Sequence, residues 1–163
     1  MSRSTFFRLV SSETPGDTPI ADPAGANPVP ALPKRSLRVL CVDDDEMVLE
    51  GMKDFLVYFG HRVGMASGGK RAIEMFHIAT LKSEPYDVVI TDVNMPEVNG
   101  YAVAQAIKSE SPSTPVVVIS GASNTAKDDG AWSASIDTVL HKPVRMQELN
   151  DALLRAAKPV TTE

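Results

Sequence analysis

At 163 residues, 43% of them hydrophobic and 23% charged, the chain has room for one domain with a sizeable core but not for two ordinary ones, and this balance argues against disorder or a collagen-like repeat over most of its length. A formal net charge of −5 removes the clustered-cation basis for contact with nucleic acid or anionic lipid, and the single cysteine, Cys41, excludes an intramolecular disulfide or a multi-cysteine metal site. No apolar run reaches the roughly 18 residues that span a bilayer, and Arg8 interrupts Phe6 to Val10 before it could serve as a signal segment, so a cytoplasmic protein is expected.

Residues 1 to 35 hold Pro15, Pro19, Pro23, Pro28, Pro30 and Pro33, half of the chain's 12 prolines, among Ser, Thr, Ala and Gly. Without hydrophobic periodicity, this reads as a disordered tail. Phe6, Phe7, Leu9 and Val10 within it have the composition of a short docking motif, but an uncommitted terminal segment is the better reading.

From Leu37 onward short β-rich runs alternate with helical segments, the pattern of a parallel α/β sheet. Leu37 to Val42 is the first predicted strand, Arg62 to Met65 a weaker second, Asp87 to Thr91 the third, Val116 to Ile119 the fourth and Thr138 to Leu140 a short fifth. The third and fourth are continuously apolar, as central strands covered on both faces should be. Helical spacing joins Met47, Val48, Met52, Phe55, Leu56 and Phe59 after the first strand. Ala72, Ile73, Met75, Phe76 and Ala79 follow the second, Val103, Ala106 and Ile107 the third, and Leu149, Leu153 and Leu154 the fifth. The fourth helical segment, around Ser123 to Ala134, carries Lys127, Asp128, Asp129 and Gly130 in its middle and Trp132 as its only large apolar residue. A short or irregular helix is predicted there, with Trp132 read as a packing residue in preference to an exposed anchor.

Ligands of parallel α/β sheets bind beyond the carboxyl ends of the strands. There the first strand runs into Asp43, Asp44 and Asp45, the third into Asp92, the fourth into Ser120 and the fifth into Lys142 and Pro143. Carboxylates gathered at about 4 Å repel by roughly 4 kcal/mol per pair at an effective dielectric near 20, so the cluster calls for a cation. Oxygen donors make Mg²⁺ the expected one. His61, His77 and His141 are scattered and read as structural. Helix capping explains Asp45 alone, but not three acids in a row with Asp92 and Lys142 at matching strand ends.

These residues resemble the receiver domains of response regulators. The resemblance covers residues 36 to 158 and rests on Val39 to Asp45, Val88 to Pro96 with Asn99 and Gly100, Val117 to Gly121, and His141 to Pro143. It implies a flavodoxin-like doubly wound fold, (βα)5 with strand order 2-1-3-4-5, flanked by tails over 1–35 and 159–163. It implies Asp92 as the phosphoacceptor, with Mg²⁺ held by Asp43, Asp44, Asp92 and the backbone carbonyl of Asn94. Ser120 and Lys142 would each contact a phosphoryl oxygen, Gly121 would leave that group accessible, and the Lys142–Pro143 bond would be cis. The family's frequent aromatic three residues before the lysine is replaced by Val139, so the usual aromatic switch is absent and, with the polar fourth helical segment, the output surface stays open.

The function so implied is a Mg²⁺-dependent switch, not an enzyme with a separate substrate. Its donor would be a sensor histidine kinase or phosphotransfer protein, and it would signal by protein contact or act as a phosphate sink. No output domain follows Glu163, so a single-domain regulator is expected, without nucleic-acid contact or membrane insertion. Its downstream target and oligomeric state, a homodimer included, stay open. A haloacid-dehalogenase-like phosphohydrolase would need a second acid where Asn94 stands and a cap domain. A pseudo-receiver that binds partners without phosphorylation is the remaining alternative.

Overall fold

The computed structural model describes residues 35–121 and 133–157. The Pro-rich segment, Phe6 to Val10, Trp132 and the residues after 157 lie outside them. In chain order the elements are β1 (Arg38–Asp43), α1 (Glu46–Tyr58), β2 (Arg62–Ser67), α2 (Gly69–Leu81), β3 (Val88–Asp92), α3 (Gly100–Glu110), β4 (Val116–Ser120), a 3-10 turn (Ser133–Ser135), β5 (Thr138–His141) and α4 (Met146–Ala156). Of the irregular helix expected around Ser123 to Ala134, only the start of that turn falls among the described residues.

The five strands form one parallel sheet in the order β2-β1-β3-β4-β5. Successive side chains of a strand point to opposite faces, and β1 shows the result. Val39 and Cys41 enter a core with Leu49, Met52 and Leu56 of α1 and Leu149, Ala152 and Leu153 of α4. Leu40 and Val42 enter a second core with Ala72, Phe76 and Ala79 of α2 and Val103, Ala104 and Ile107 of α3. β3 and β4 are buried along their whole length, which is why their sequences are apolar runs and not alternations.

Four strands end one residue later than predicted, at Asp43, Asp92, Ser120 and His141, and β2 runs two residues beyond Met65 to Ser67. The polar terminal residues break the apolar pattern while still pairing with their neighbours: Asp43 with Ser67, Asp92 with Ile119, and Ser120 with His141.

α1 also differs in phase from the prediction. Met47 is 85% exposed and Val48 is exposed too, whereas Leu49 is buried. Counting back from Leu56 and Met52 by three to four residues reaches Leu49, and the first turn presents its other apolar residues to solvent.

At the foot of the sheet two aspartates close strand ends. Asp87 Oδ2 accepts from the Arg38 amide and Asp137 Oδ2 from the Val116 amide, both at 2.7 Å, so the first N–H of β1 and that of β4 are satisfied where the ladder begins. Nearby, buried His61 accepts the Leu37 amide on Nδ1 at 3.1 Å. That fixes the tautomer, and Nε2–H donates to Asn150 Oδ1 of α4 at 3.0 Å. Cys41 is fully buried, and burial pushes its thiol pKa up to about 12, which leaves it inert as a nucleophile.

Candidate phosphoacceptor site

The register carries β1, β3, β4 and β5 to the same edge of the sheet, where Asp43, Asp92, Ser120 and, one residue past β5, Lys142 converge. Asp92 is 6% exposed and both its oxygens are engaged. Lys142 Nζ stands 2.7 Å from Oδ1, and the Asn94 amide donates to Oδ2 at 2.8 Å. The lysine side chain is 46% exposed, so the pair faces solvent on one side.

Asp43 is buried, and its Oδ1 accepts from the Asp45 amide at 2.9 Å. Burial raises its pKa above the ordinary 3.8; the Asp45 amide and Lys142 lower it, Asp92 and Asp44 raise it, and the balance is upward. For Lys142 burial acts downward, but the hydrogen bond and charge of Asp92 and the charges of Asp43 and Asp44 outweigh it and hold its pKa above 10.5. Asp44 is exposed. Asp45 is the N-cap of α1, accepting the Met47 amide at 2.9 Å, the capping role its type predicts.

Ser120 is buried and its hydroxyl donates to the Gly121 carbonyl at 3.2 Å. Among the described residues, a methyl group on Gly121 would meet nothing within 4 Å. The Lys142–Pro143 peptide is cis. Val139 is 48% exposed and presents a small apolar surface on β5.

Among the described residues, no group of three or more His, Cys, Asp or Glu side chains is arranged to hold a metal by itself. The charge balance nonetheless fits a divalent cation. Three carboxylates face one ammonium, an excess of two negative charges; burial first, and then the charges of Asp92 and Asp44, push the Asp43 pKa upward. All the candidate donors are oxygens, the preference of hard cations that keep part of their water shell.

Sequence reasoning missed Gly100, the first residue of α3. A Cβ there would overlap the Asp92 carbonyl oxygen and lie 2.9 Å from its carbonyl carbon. The motif containing Asn99 and Gly100 was visible, but the contact it serves is not encoded by periodicity.

The family model described as "Response regulator receiver domain" matches residues 39–154. The virulence sensor protein BvgS of Bordetella bronchiseptica is 36% identical over 147 residues, covering 83% of this chain and 12% of that protein. The response regulator MprA of Mycobacterium bovis is 32% identical over 127 residues, covering 76% of this chain and 53% of that protein. The chain thus matches about half or less of the length of these curated relatives. A receiver-domain protein of Clostridium thermocellum has a crystal structure that superposes with a TM-score of 0.66 at 29% identity, covering 74% of this chain and 94% of that one.

Proposed function

The chain belongs to the response regulator receiver domain family, and from that premise we propose that it is a phosphorylation switch in which Asp92 accepts a phosphoryl group from a histidine kinase or phosphotransfer protein. The observation that carries the reading is Asp92 itself, a buried carboxylate at the end of a central strand with Lys142 on one oxygen and the Asn94 amide on the other. Phosphoryl transfer through a loose transition state asks the protein mainly for position and charge neutralisation, and these two contacts supply the first.

In this reading an Asp92 oxygen attacks phosphorus while the bond to the donor nitrogen breaks and its electron pair leaves with the donor imidazole. Lys142 pairs with one phosphoryl oxygen, and the Ser120 hydroxyl turns from the Gly121 carbonyl to donate to another. Asp43, Asp44, Asp92 and the Asn94 carbonyl would hold Mg²⁺, which neutralises charge on the transferred group. The added phosphoryl charge then draws Ser120 inward and biases the surrounding loops. We assign the receiver to residues 36–158, acting as a cytoplasmic single-domain regulator through protein contact or as a phosphate sink. The mass of the intact protein recovered from its own cells tests the single-domain assignment.

Intact mass after incubation with acetyl phosphate, with and without Mg²⁺, tests the chemistry. One phosphoryl adduct that requires Mg²⁺ and vanishes in Asp92→Asn is the expected result. A folded wild type that gains no adduct would replace this reading with a phosphorylation-independent binding module.

A further inference from the structure

We infer that Gly100 is a positioning residue for the phosphoacceptor: the N-terminus of α3 rests directly on the backbone that carries Asp92, and only a residue without a side chain lets it do so. This deepens the proposed function and rests on it.

The contact is between main chains. The Gly100 amide donates to the Val93 carbonyl at 3.0 Å, and the Val93 amide donates to Ile119 of β4 at 3.0 Å. A Cβ at position 100 would strike the Asp92 carbonyl oxygen and lie 3.1 Å from Val93 Cα. No rotamer change relieves such an overlap, because both partners are backbone held by the sheet on one side and a helix on the other. The φ of Gly100 is not left-handed, so the requirement is for space and not for conformational freedom.

Displacement here would be transmitted to the site in two steps. Asp92 would shift relative to Lys142, and the loop that leaves Val93 would carry Asn94, whose amide orients Asp92 Oδ2 and whose carbonyl is the proposed metal contact. A displacement of a few tenths of an ångström matters to a transfer that depends on alignment.

Gly64, in the middle of β2, supplies the comparison. A Cβ there would lie 2.5 Å from Tyr86 Oη and 3.0 Å from Tyr86 Cε1. Tyr86 precedes β3 at the end of that strand opposite Asp92. Gly64→Ala therefore strains the fold without pressing on Asp92.

The test measures two things in wild type, Gly100→Ala and Gly64→Ala. The first is the ¹⁵N–¹H shift of the Asn94 amide without any phosphodonor or metal. The second is the initial rate of adduct formation from acetyl phosphate and Mg²⁺, divided by the folded fraction from circular dichroism. Gly100→Ala is expected to move the Asn94 amide and to slow phosphorylation at least tenfold, while Gly64→Ala changes the rate by less than twofold. An unmoved Asn94 amide in folded Gly100→Ala, or equal rate losses in the two variants, would overturn the inference. Should Gly100→Ala not fold, the wild-type Gly100 amide is followed during loading of Asp92, where no shift overturns it equally. A wild type that forms no adduct would sink the phosphoacceptor reading instead, leaving the Asn94 shift to decide the positioning role.

Discussion

Lys142 reaches Asp92 across an intervening strand: β4 lies between β3 and β5, yet Nζ and Oδ1 are 2.7 Å apart. The lysine therefore spans the mouth of the site above Ser120, where it can follow a phosphoryl group as well as the bare carboxylate.

Lys142→Met is expected to slow phosphorylation by acetyl phosphate on the order of 10²-fold, the scale of losing one preorganised charge contact. Its stability cost should be only about 1 kcal/mol or less, because the lysine is half exposed and screened. Since the folded-state pKa of Lys142 is raised, its contribution is complete below 10.5 and is lost as pH rises through the folded value. Urea midpoints should thus fall more steeply with pH above 10.5 in wild type than in Lys142→Met.

Asp43 behaves in the opposite sense at neutral pH. Burial above all, and then Asp92 and Asp44, raise its pKa above 3.8. The folded state holds that proton more tightly than the unfolded chain, so the benefit is present below 3.8 and lost as pH climbs through the folded value. At pH 7 the charge is a burden, and Asp43→Asn should raise unfolding stability by ~0.5–2 kcal/mol. The same variant should lose Mg²⁺ affinity in calorimetric titration. A variant no more stable than wild type at pH 7 would count against the electrostatic account.

Asn150→Ala should cost about 1–3 kcal/mol in urea unfolding, because it leaves the buried His61 Nε2–H without its acceptor. Asn150→Asp keeps an acceptor at that position and should recover part of the loss at pH 7. Equal losses in the two variants would show that packing, not the hydrogen bond, holds Asn150.

Substitutions in the first turn of α1 separate its two faces. Leu49→Ala is expected to cost about 2–5 kcal/mol, as a truncation in a packed core. Met47→Lys, at a side chain 85% exposed, should fall within about 0.5 kcal/mol of wild type. Thermal unfolding of the pair checks both.

The polar strand ends were legible because a parallel sheet aligns them. Asp43, Asp92, Ser120 and Lys142 each follow an apolar run, and the sheet's connectivity alone carries them to one edge. Strand order and cis Lys142–Pro143 were likewise readable through the family resemblance. What escaped the sequence was contact between distant polar groups or between backbones. His61 and Asn150 are 89 positions apart, and an asparagine beside Asp151 on a helix that also carries Glu148 and Arg155 reads as surface. Gly100 reads as a loop glycine until Asp92 is seen against it. Met47 and Val48 were misassigned because adjacent apolar residues in one turn offer several phases, and only packing against the sheet selects Leu49.

The fastening of α4 to the sheet through His61 also fixes an order of events at the ribosome. His61 is synthesised 89 residues before Asn150, roughly 4–18 s earlier at about 5–20 residues per second. During that interval Leu49, Met52 and Leu56 have been made, but Leu149, Ala152 and Leu153, which share their core, have not. One side of the sheet, covered by α1 alone, is thus born half-uncovered and stays adhesive until the last helix arrives. A stalled or truncated translation product ending before α4 would be a substrate for chaperones and proteases instead of a shortened receiver.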